Sequence, residues 1–466
     1  MGKAGKALQQ VLKTYSISQN KLALSLGVER SVVFRWFHEQ VDPSAEAVAE
    51  IVAVLQQLEP DAAGEFAQLY LGNAAFARSP RFAIASHPEL PPSDDVDVSV
   101  LSGLFSNTTN SYKYLFFISV LDILCRRKFE GSSAIGFGEL VVEMLANAWY
   151  PHTYFKLSFG RQDMVADYLD SLDLEVEEPI FKLTDIDKKL LRQAIEAQNL
   201  TKISKKLMRF VPFRLIRPFF ERELRGLSTK KDSQIEKRIP ELAKEGFENY
   251  KPLYRFNSTL YKNCKVILIH PDWLSYLEQN YSIVRGWTSW QWLNYMQSRN
   301  PSVPSISSKL FPPQQRDSLS EQTKYWKRII KNAEIRCIYS GIVLNSSNLS
   351  LDHYLPWSFV AHNRLWNLIP TIASVNSAKS NNIPAIVYFD RFVQNQHEGL
   401  TIHKKIREQL DWNKVTESYL VDLKVSSRDD LLNLEALRNA YQTVLIPLMA
   451  LAENQGFATE WKYKDK

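Results

Sequence analysis

Three segments decide the fold of the C-terminal part of this chain: SLDHYLPWSF (residues 350–359), LWNLIP (365–370) and NSAKS (376–380). They contain an Asp352-His353 pair, Asn367 fourteen positions after the histidine, and Asn376 nine positions further on. Phosphodiester hydrolysis needs a base to activate water, oxygen ligands for a cation, and a residue that orients the base. The residue types and their spacing therefore predict a one-metal nuclease site.

Each of these four residues has a predicted role. His353 is the candidate general base, because histidine side chains ordinarily titrate near neutrality. Asp352 and the amide oxygen of Asn376 are hard ligands suited to Mg²⁺ or Mn²⁺. Asn367 completes the catalytic set by fixing the loop that holds His353. Adjacent strand residues point to opposite faces, so Asp352 and His353 reach one phosphate only if the chain bends, and Pro356 is consistent with a loop there.

These motifs resemble the HNH (ββα-metal) endonuclease family, in the variant whose third motif residue is asparagine. The resemblance implies a β-hairpin from about Ile335 to Tyr354, a helix starting near Val375, and a metal ion between them. A broader likeness to uncharacterised bacterial HNH proteins extends upstream and attaches no known role to the residues concerned. It runs through residues 107–114, 148–151 and 211–214.

One feature departs from the family pattern. Many HNH proteins hold the hairpin with two Cys-x-x-Cys pairs around a structural zinc ion, whereas Cys337 here is followed three residues later by Ser340. The chain has three cysteines in total, and no second pair exists. Structural zinc is therefore not expected, and neither is a disulfide framework.

The N-terminal segment SQNKLALSLGVERSVVFRW (residues 18–36) predicts two short helices joined by a tight turn. Ser18 is suited to cap the first helix, and Gly27 can supply the left-handed residue that ends it. The second helix would bury Val33 and leave Arg30 and Arg35 facing outward, as in a recognition helix that enters a major groove.

This segment resembles the phage-repressor-like (XRE) helix-turn-helix family, through Gln19, Leu22-Ala23, Gly27-Val28 and residues 33–36. By that resemblance Gln19 would touch a phosphate, Arg30 and Ser31 would meet base edges, and Arg35 would lie on the DNA backbone. Residues 1–38 carry a net charge of +5 and residues 39–75 carry −7, so only one end of the module suits DNA. Such folds also serve as protein-interaction domains, and that alternative stays open.

A second basic region lies between Thr201 and Pro240, where twelve Lys or Arg residues stand against four Asp or Glu. Phenylalanines interleave with these cations, a composition typical of phosphate-facing surfaces. We expect Arg209, Arg214 and Arg217 to bind DNA, together with Lys379 of the nuclease segment. The alternative is a solvated helix face above a buried aromatic stripe.

The whole pattern predicts a mainly α, multi-domain protein. Its predicted parts are a helix-turn-helix domain (1–75), a proline-rich linker (76–95), a helical middle domain (96–330), an HNH module (331–390) and a C-terminal helical extension (391–466). No apolar run approaches the length of a bilayer-spanning helix, and no apolar segment follows the first lysines. A cytoplasmic protein is therefore expected.

The parts together predict a metal-dependent endonuclease acting on double-stranded DNA, and defence against foreign DNA would suit such parts. A transcriptional regulator or sensor, with an inactive or conditionally active HNH module, is the alternative. An RNA-directed nuclease is a third reading. A homo-oligomer or a regulatory partner protein could supply the control that a nuclease toxic to its host needs.

Overall fold

The computed structural model describes residues 3–71, 90–130, 133–174, 185–224, 232–311, 317–406 and 409–464. The chain divides into two compact units, Met1–Pro88 and Glu89–Lys466. Residues 76–89 of the predicted linker and residues 225–231 of the basic region lie outside the described residues. The described chain is mainly helical, as predicted.

Residues 3–71 form the helices of the first unit, which are α1 (Lys3–Thr14), α2 (Gln19–Leu26), α3 (Arg30–Phe37), α4 (Ala45–Leu58) and α5 (Pro60–Leu71). The side chain of Ser18 accepts the backbone N–H of Lys21, and Gly27 ends α2 with φ +69°. These two local predictions are confirmed. A Cβ atom on Gly5 would lie 2.9 Å from the carbonyl oxygen of Trp36, so α1 approaches α3 closely at a residue without a side chain.

The second unit begins with helices that surround a large apolar core. They are α6 (Val98–Ser102), α7 (Tyr112–Arg126), α8 (Phe137–Trp149), α9 (Val165–Asp170), α10 (Asp185–Glu196), α11 (Thr201–Leu207), α12 (Val211–Leu215), α13 (Glu221–Leu224), α14 (Asp232–Glu245), α15 (Pro271–Gln279), α16 (Tyr281–Arg299) and α17 (Ile306–Leu310). Short 3₁₀ turns cover Arg217–Phe220 and Tyr261–Asn263, and a π turn covers Tyr150–Tyr154.

A small sheet within this region was not predicted from the sequence. Its antiparallel strands are β1 (Ala134–Gly136), β2 (Tyr254–Phe256) and β3 (Val266–Ile269), in the order β1-β3-β2. Strands of three or four residues are too short to show a clear alternation of apolar and polar residues. Residues 96–330, which were expected to form a helical domain, therefore also contain this short sheet.

The C-terminal part of the second unit contains a strand pair enclosed by helices. Its elements are α18 (Ser320–Asn332), β4 (Leu349–His353), α19 (Trp357–Val360), β5 (Leu368–Ile372), α20 (Ala373–Lys379), α21 (Phe389–Ile406), α22 (Gln409–Asp422) and α23 (Leu434–Asn454). Short 3₁₀ turns cover Leu365–Asn367, Ile386–Tyr388 and Asp430–Leu432.

Two apolar cores lie within Glu89–Lys466. The first runs from Leu90 to Leu310, and the second from Tyr325 to Phe457. Trp357 belongs to the first core although it lies between β4 and β5, and its ring centroid is 6.0 Å from that of Phe155. The two cores therefore meet at this tryptophan. No helix among the described residues is long and apolar enough to cross a membrane.

Candidate active site

A strand pair and one helix bring the predicted nuclease residues together. β4 and β5 pair in antiparallel fashion, with Asp352 and His353 at the end of β4. α20 follows β5 directly and lies along β4, because Asn376 Nδ2 donates to the carbonyl oxygen of Leu351 at 3.1 Å and to Ser350 Oγ at 3.2 Å. The three candidate metal and base residues therefore converge on β4.

The expected hairpin from about Ile335 to Tyr354 is wrong in its pairing. Arg336 bridges Val343 across a turn at Gly341, whose φ is +73°, whereas β4 pairs with β5, which lies after it in the chain. Pro370 stands inside β5 and removes one backbone donor, and a proline ordinarily argues against a paired strand. The ββα unit consists of β4, β5 and α20.

Asp352 is buried and both of its carboxylate oxygens have partners. Tyr339 Oη donates to Oδ2 at 2.7 Å, and Lys379 Nζ donates to Oδ1 at 3.1 Å. Burial raises the pKa of Asp352 above its ordinary value, and the Lys379 ammonium and the Tyr339 hydrogen bond oppose that rise. Asp352 is therefore held by a tyrosine and a lysine on the inner side of β4.

Lys379 was predicted to bind DNA, and the structure places it in the interior. Its side chain is fully buried, and its Nζ donates to Asp352 Oδ1 and to the backbone carbonyl of His353 at 2.8 Å. Burial lowers the pKa of Lys379, which the carboxylate of Asp352 opposes. Contact with a phosphate would require this ammonium to leave Asp352, so its DNA contact stays a prediction.

His353 is partly exposed, and its orientation depends on Asn363. Its Nε2 lies 2.9 Å from Asn363 Oδ1, while Asn363 Nδ2 donates to the carbonyl oxygen of Asp317 at 3.1 Å. That second bond sets the amide orientation, because a carbonyl oxygen only accepts. His353 Nε2 must then carry the proton. Asn363 was missed from the sequence, since a surface asparagine ten residues from the histidine has no distinguishing signal.

Asn367 holds the backbone directly after His353 in place through hydrogen bonds. It is fully buried, its Oδ1 accepts the backbone N–H of Leu355 at 2.9 Å, and its Nδ2 donates to the carbonyl oxygen of the same residue at 2.9 Å. Its backbone carbonyl accepts the N–H of Tyr354. These contacts would let Asn367 position His353, whereas a direct part in the chemistry stays a prediction.

The residues present fit a divalent cation held by few protein ligands. No group of three or more His, Cys, Asp and Glu side chains among the described residues could hold a metal ion. One carboxylate, from Asp352, and one amide oxygen, from Asn376, suit Mg²⁺, which usually retains several waters and binds one or two carboxylates plus phosphate oxygens. A cation at Asp352 would have to take the place of the Lys379 ammonium.

Cys337 and Tyr339 lie on the Gly341 turn, where zinc-binding relatives would have their first cysteine pair. Cys337 is buried, and its Sγ lies 3.1 Å from Thr371 Oγ1. Tyr339 contacts the rings of Tyr388 and Trp461 edge-on, which directs its hydroxyl towards Asp352. Tyr339 lies between Cys337 and Ser340, the two positions that carried the prediction about structural zinc, and its own contact with Asp352 has no signal in the sequence.

His362 lies near the site, and its contacts are structural. Its ring centroid is 5.3 Å from that of Trp366, and its Nδ1 accepts the backbone N–H of Arg364. Burial lowers the pKa of His362 to about 4, with Asp422 opposing the change. The ring is therefore neutral at physiological pH and packs against Trp366 at an interplanar angle of 57°.

In the first unit, two of the predicted DNA-binding residues share one surface depression. Gln19 and Arg30 line a cavity of about 540 Å³ together with Lys13. Arg30, Ser31 and Arg35 are exposed, as predicted, and Val33 is buried. Ser31 Oγ donates to Glu29 Oε2 at 3.2 Å. Whether these residues bind DNA stays a prediction.

The predicted DNA-binding arginines of the middle region also converge. Arg209, Arg214 and Arg217 line one cavity of about 1080 Å³. Arg214 Nε pairs with Glu236 Oε1. The cationic side chains thus surround a concave space, whereas the sequence-based expectation was an exposed basic face.

Residues 337–385 match a family model described as HNH endonuclease. The match includes β4, β5 and α20, and with them Asp352, His353, Asn367 and Asn376. No curated protein matches the chain, and no solved structure matches it. The match confirms the HNH part of the sequence-based prediction and leaves the helix-turn-helix part as a prediction.

Proposed function

We propose, starting from this HNH endonuclease match, that the protein is a metal-dependent endonuclease that hydrolyses phosphodiester bonds of double-stranded DNA. The observation that supports the proposal is the convergence of Asp352, His353 and Asn376 on β4 within the matched segment. A base, a carboxylate and an amide oxygen in one place are the groups that such hydrolysis requires.

In this proposal His353 removes a proton from the attacking water. Its Nε2 carries the proton that bonds to Asn363, so Nδ1 is the ring nitrogen that accepts the proton from water. Asn367 keeps the backbone after His353 in place through its two bonds to Leu355. Asp352 and Asn376 would hold Mg²⁺ or Mn²⁺, which supplies charge neutralisation at the phosphate when it is bound.

DNA binding is proposed for two further parts of the chain. Gln19, Arg30, Ser31 and Arg35 of the first unit would engage a duplex in the manner of a helix-turn-helix module, and Lys379 remains a candidate phosphate contact. A cytoplasmic location and a role in defence against foreign DNA are part of the same proposal, as is control by self-association or by a regulatory partner.

A conditionally active HNH module is a second candidate, and specific contacts favour it. Lys379 and Tyr339 occupy both oxygens of Asp352, and Asn363 occupies Nε2 of His353. A cation at Asp352 would need the contacts with Tyr339 and Lys379 to open. A DNA-binding regulator or sensor that cuts only on activation would have this arrangement in its resting state.

Incubation of the purified protein with supercoiled plasmid and Mg²⁺ or Mn²⁺ tests the proposal. Nicked or linear product from the wild type, absent with EDTA and with His353→Ala, is the expected result. No cleavage by the wild type, with the plasmid still retarded on a gel, would contradict it and favour the conditionally active regulator. Cleavage of single-stranded RNA in place of the plasmid would assign the substrate to RNA.

A further inference from the structure

The 1080 Å³ cavity of the middle region gathers five cationic side chains from separate elements of the chain. Lys113 comes from α7, Lys206 from α11, Arg214 from α12, and Arg209 and Arg217 from the turns that flank α12. Among the described residues that line it, Glu221 is the one carboxylate, and Glu236 pairs with Arg214 from outside the lining. Five cations that converge around one concavity outnumber these carboxylates and create a positive potential, which an anionic ligand relieves.

One wall of the cavity consists of Lys113 and the neighbouring lining residues of segment 107–114. Hydrogen bonds within the protein hold this wall in place without a ligand. Lys113 Nζ donates to the carbonyl oxygens of Leu104 and Asn107, at 3.2 and 3.0 Å. Asp163 accepts the backbone N–H of Ser111 at 2.7 Å. Further bonds join Thr108 Oγ1 to Tyr114 Oη, Tyr112 Oη to the N–H of Met164, and Arg299 to the carbonyl of Thr109. This wall therefore needs little ordering on binding.

The arginine wall is fixed in a similar way. The guanidinium groups of Arg209 and Arg214 both lie 4.7 Å from the ring centroid of Phe210. Tyr254 Oη donates to the carbonyl oxygen of Pro212 at 2.5 Å, and Tyr261 Oη donates to that of Arg209. Stacking on an aromatic ring holds a guanidinium in one orientation, which favours directed bonds to phosphate oxygens.

The electrostatics agree with an anion site. Burial lowers the pKa of Lys113 to about 8, and the nearby charges of Arg214 and Arg217 add to that shift. A cation crowded by other cations gains stability when an anion approaches. The two walls also include residues 107–114 and 211–214, two of the three upstream segments to which the likeness to HNH proteins attached no role.

We propose that this cavity binds a small ligand with several phosphate groups, and that a nucleoside triphosphate is the class that fits best. The five cations suit a chain of phosphates rather than a single one. The aromatic rings of Tyr112 and Tyr168 and the amide side chains of Asn107 and Asn110 also line the space, and these are groups that recognise a base. Duplex DNA fits less well, because its rigid backbone cannot follow cations into a concavity.

Isothermal titration of the full-length protein with ATP, in a buffer containing EDTA, tests this proposal apart from the nuclease centre. We expect ATP and inorganic triphosphate to bind, and adenosine not to bind. Lys206→Ala should weaken ATP binding about tenfold, the effect of losing one hydrogen bond to a charged group. Lys205→Ala, at an exposed lysine of the same helix that does not line the cavity, should leave binding unchanged.

A second pair of variants tests whether the loss of ATP binding is a property of the cavity and not of Lys206 alone. Arg217→Ala should weaken ATP binding about tenfold, and Arg222→Ala, at an exposed arginine outside the cavity lining, should not. Absence of binding by both ATP and triphosphate would overturn the proposal, as would an equal loss in Lys205→Ala and Lys206→Ala. A short duplex that displaces ATP and depends on Lys206 would assign the cavity to the nucleic-acid backbone and would also overturn it.

Discussion

At the scale of single residues, Asn363 determines which ring nitrogen of His353 carries the proton. The bond to Oδ1 holds the proton on Nε2, and the bond from Nδ2 to Asp317 keeps the amide from turning over. A positioning residue of this kind acts through another side chain. It was invisible in the sequence because its spacing from the histidine belongs to no motif.

If the protein cuts DNA, replacement of Asn363 should change the rate and not the binding. Asn363→Ala leaves the histidine ring without its orienting partner, so the cleavage rate should fall about 10- to 100-fold, as for other residues that orient active-site histidines. Single-turnover cleavage and a gel-shift titration separate the two effects. An unchanged rate would show that Asn363 does not orient His353, and a parallel loss of binding would indicate a DNA contact instead.

Lys309 is a second residue whose surroundings determine its ionisation. Its side chain is fully buried, its Nζ has no hydrogen-bond partner among the described residues, and its ammonium lies 5.2 Å from the ring centroid of Phe359. Burial lowers the pKa of Lys309 to about 7. The unfolded chain, with an ordinary lysine pKa near 10.4, therefore binds more protons between these values, and stability at this site rises with pH across that window.

Lys309→Met should stabilise the fold by about 1 to 3 kcal/mol at pH 6 to 7. This gain in the free energy of unfolding should decrease as the pH rises from 7 towards 10. In that range the folded lysine is neutral, and the cost of removing its proton falls as the pH approaches the pKa of the unfolded chain. Urea unfolding at several pH values measures it, with Lys327→Met at an exposed lysine as the control. A gain that does not vary with pH would contradict the assignment of the effect to the buried charge.

At the scale of elements, one buried ion pair joins α20 to β4. Lys379 Nζ and Asp352 Oδ1 are 3.1 Å apart, and both side chains are almost fully buried. Removing one partner of such a pair leaves an uncompensated buried charge. This lowers the free energy of unfolding more than removing both partners does. Lys379 thus holds α20, the helix that carries Asn376, to β4. A cation bound at Asp352 would have to displace the Lys379 ammonium.

Lys379→Ala should lower the free energy of unfolding by about 3 to 5 kcal/mol. The double variant Asp352→Asn, Lys379→Met removes both charges at similar side-chain volume, and it should recover most of that loss. Urea denaturation followed by tryptophan fluorescence measures both. Equal destabilisation by the single and double variants would mean that packing, rather than the charge pair, holds α20 against β4.

The elements also show where sequence patterns failed. The strands of the nuclease unit were expected on either side of the Gly341 turn, but β4 pairs with β5 across a loop of fourteen residues that contains α19. A long connection and a proline in β5 both conceal such a pair from a local pattern. The helix ends of the first unit were predictable because Ser18 and Gly27 act on their immediate neighbours.

At the scale of the whole molecule, Trp357 joins the two cores of the second unit. It stands four residues after His353, and it packs with residues of the first core. The loop that follows the candidate base is therefore anchored in the region that contains the cationic cavity. A large aromatic side chain at such a junction contributes to the stability of both parts.

Trp357→Ala should lower the free energy of unfolding by about 3 to 5 kcal/mol, the usual loss for a buried tryptophan. Trp290→Ala should change it by about 0.5 kcal/mol or less, because Trp290 is 53% exposed while Trp357 is 8% exposed. Amide hydrogen exchange of residues 349–372 should increase in Trp357→Ala alone. Unchanged exchange there would show that the loop after His353 does not depend on the first core.

The sequence by itself indicated the HNH segment that the family model matches and determined the helix ends at Ser18 and Gly27, and it predicted the candidate residues Asp352, His353, Asn367 and Asn376. Each of these follows from residue type and short spacing, which act locally. Only the tertiary structure decided that Lys379 turns inward to Asp352, that Asn363 bonds His353, and that Lys113 meets Arg214 and Arg217 around one cavity. Those contacts join residues from separate elements, and packing of the whole chain brings them within bonding distance.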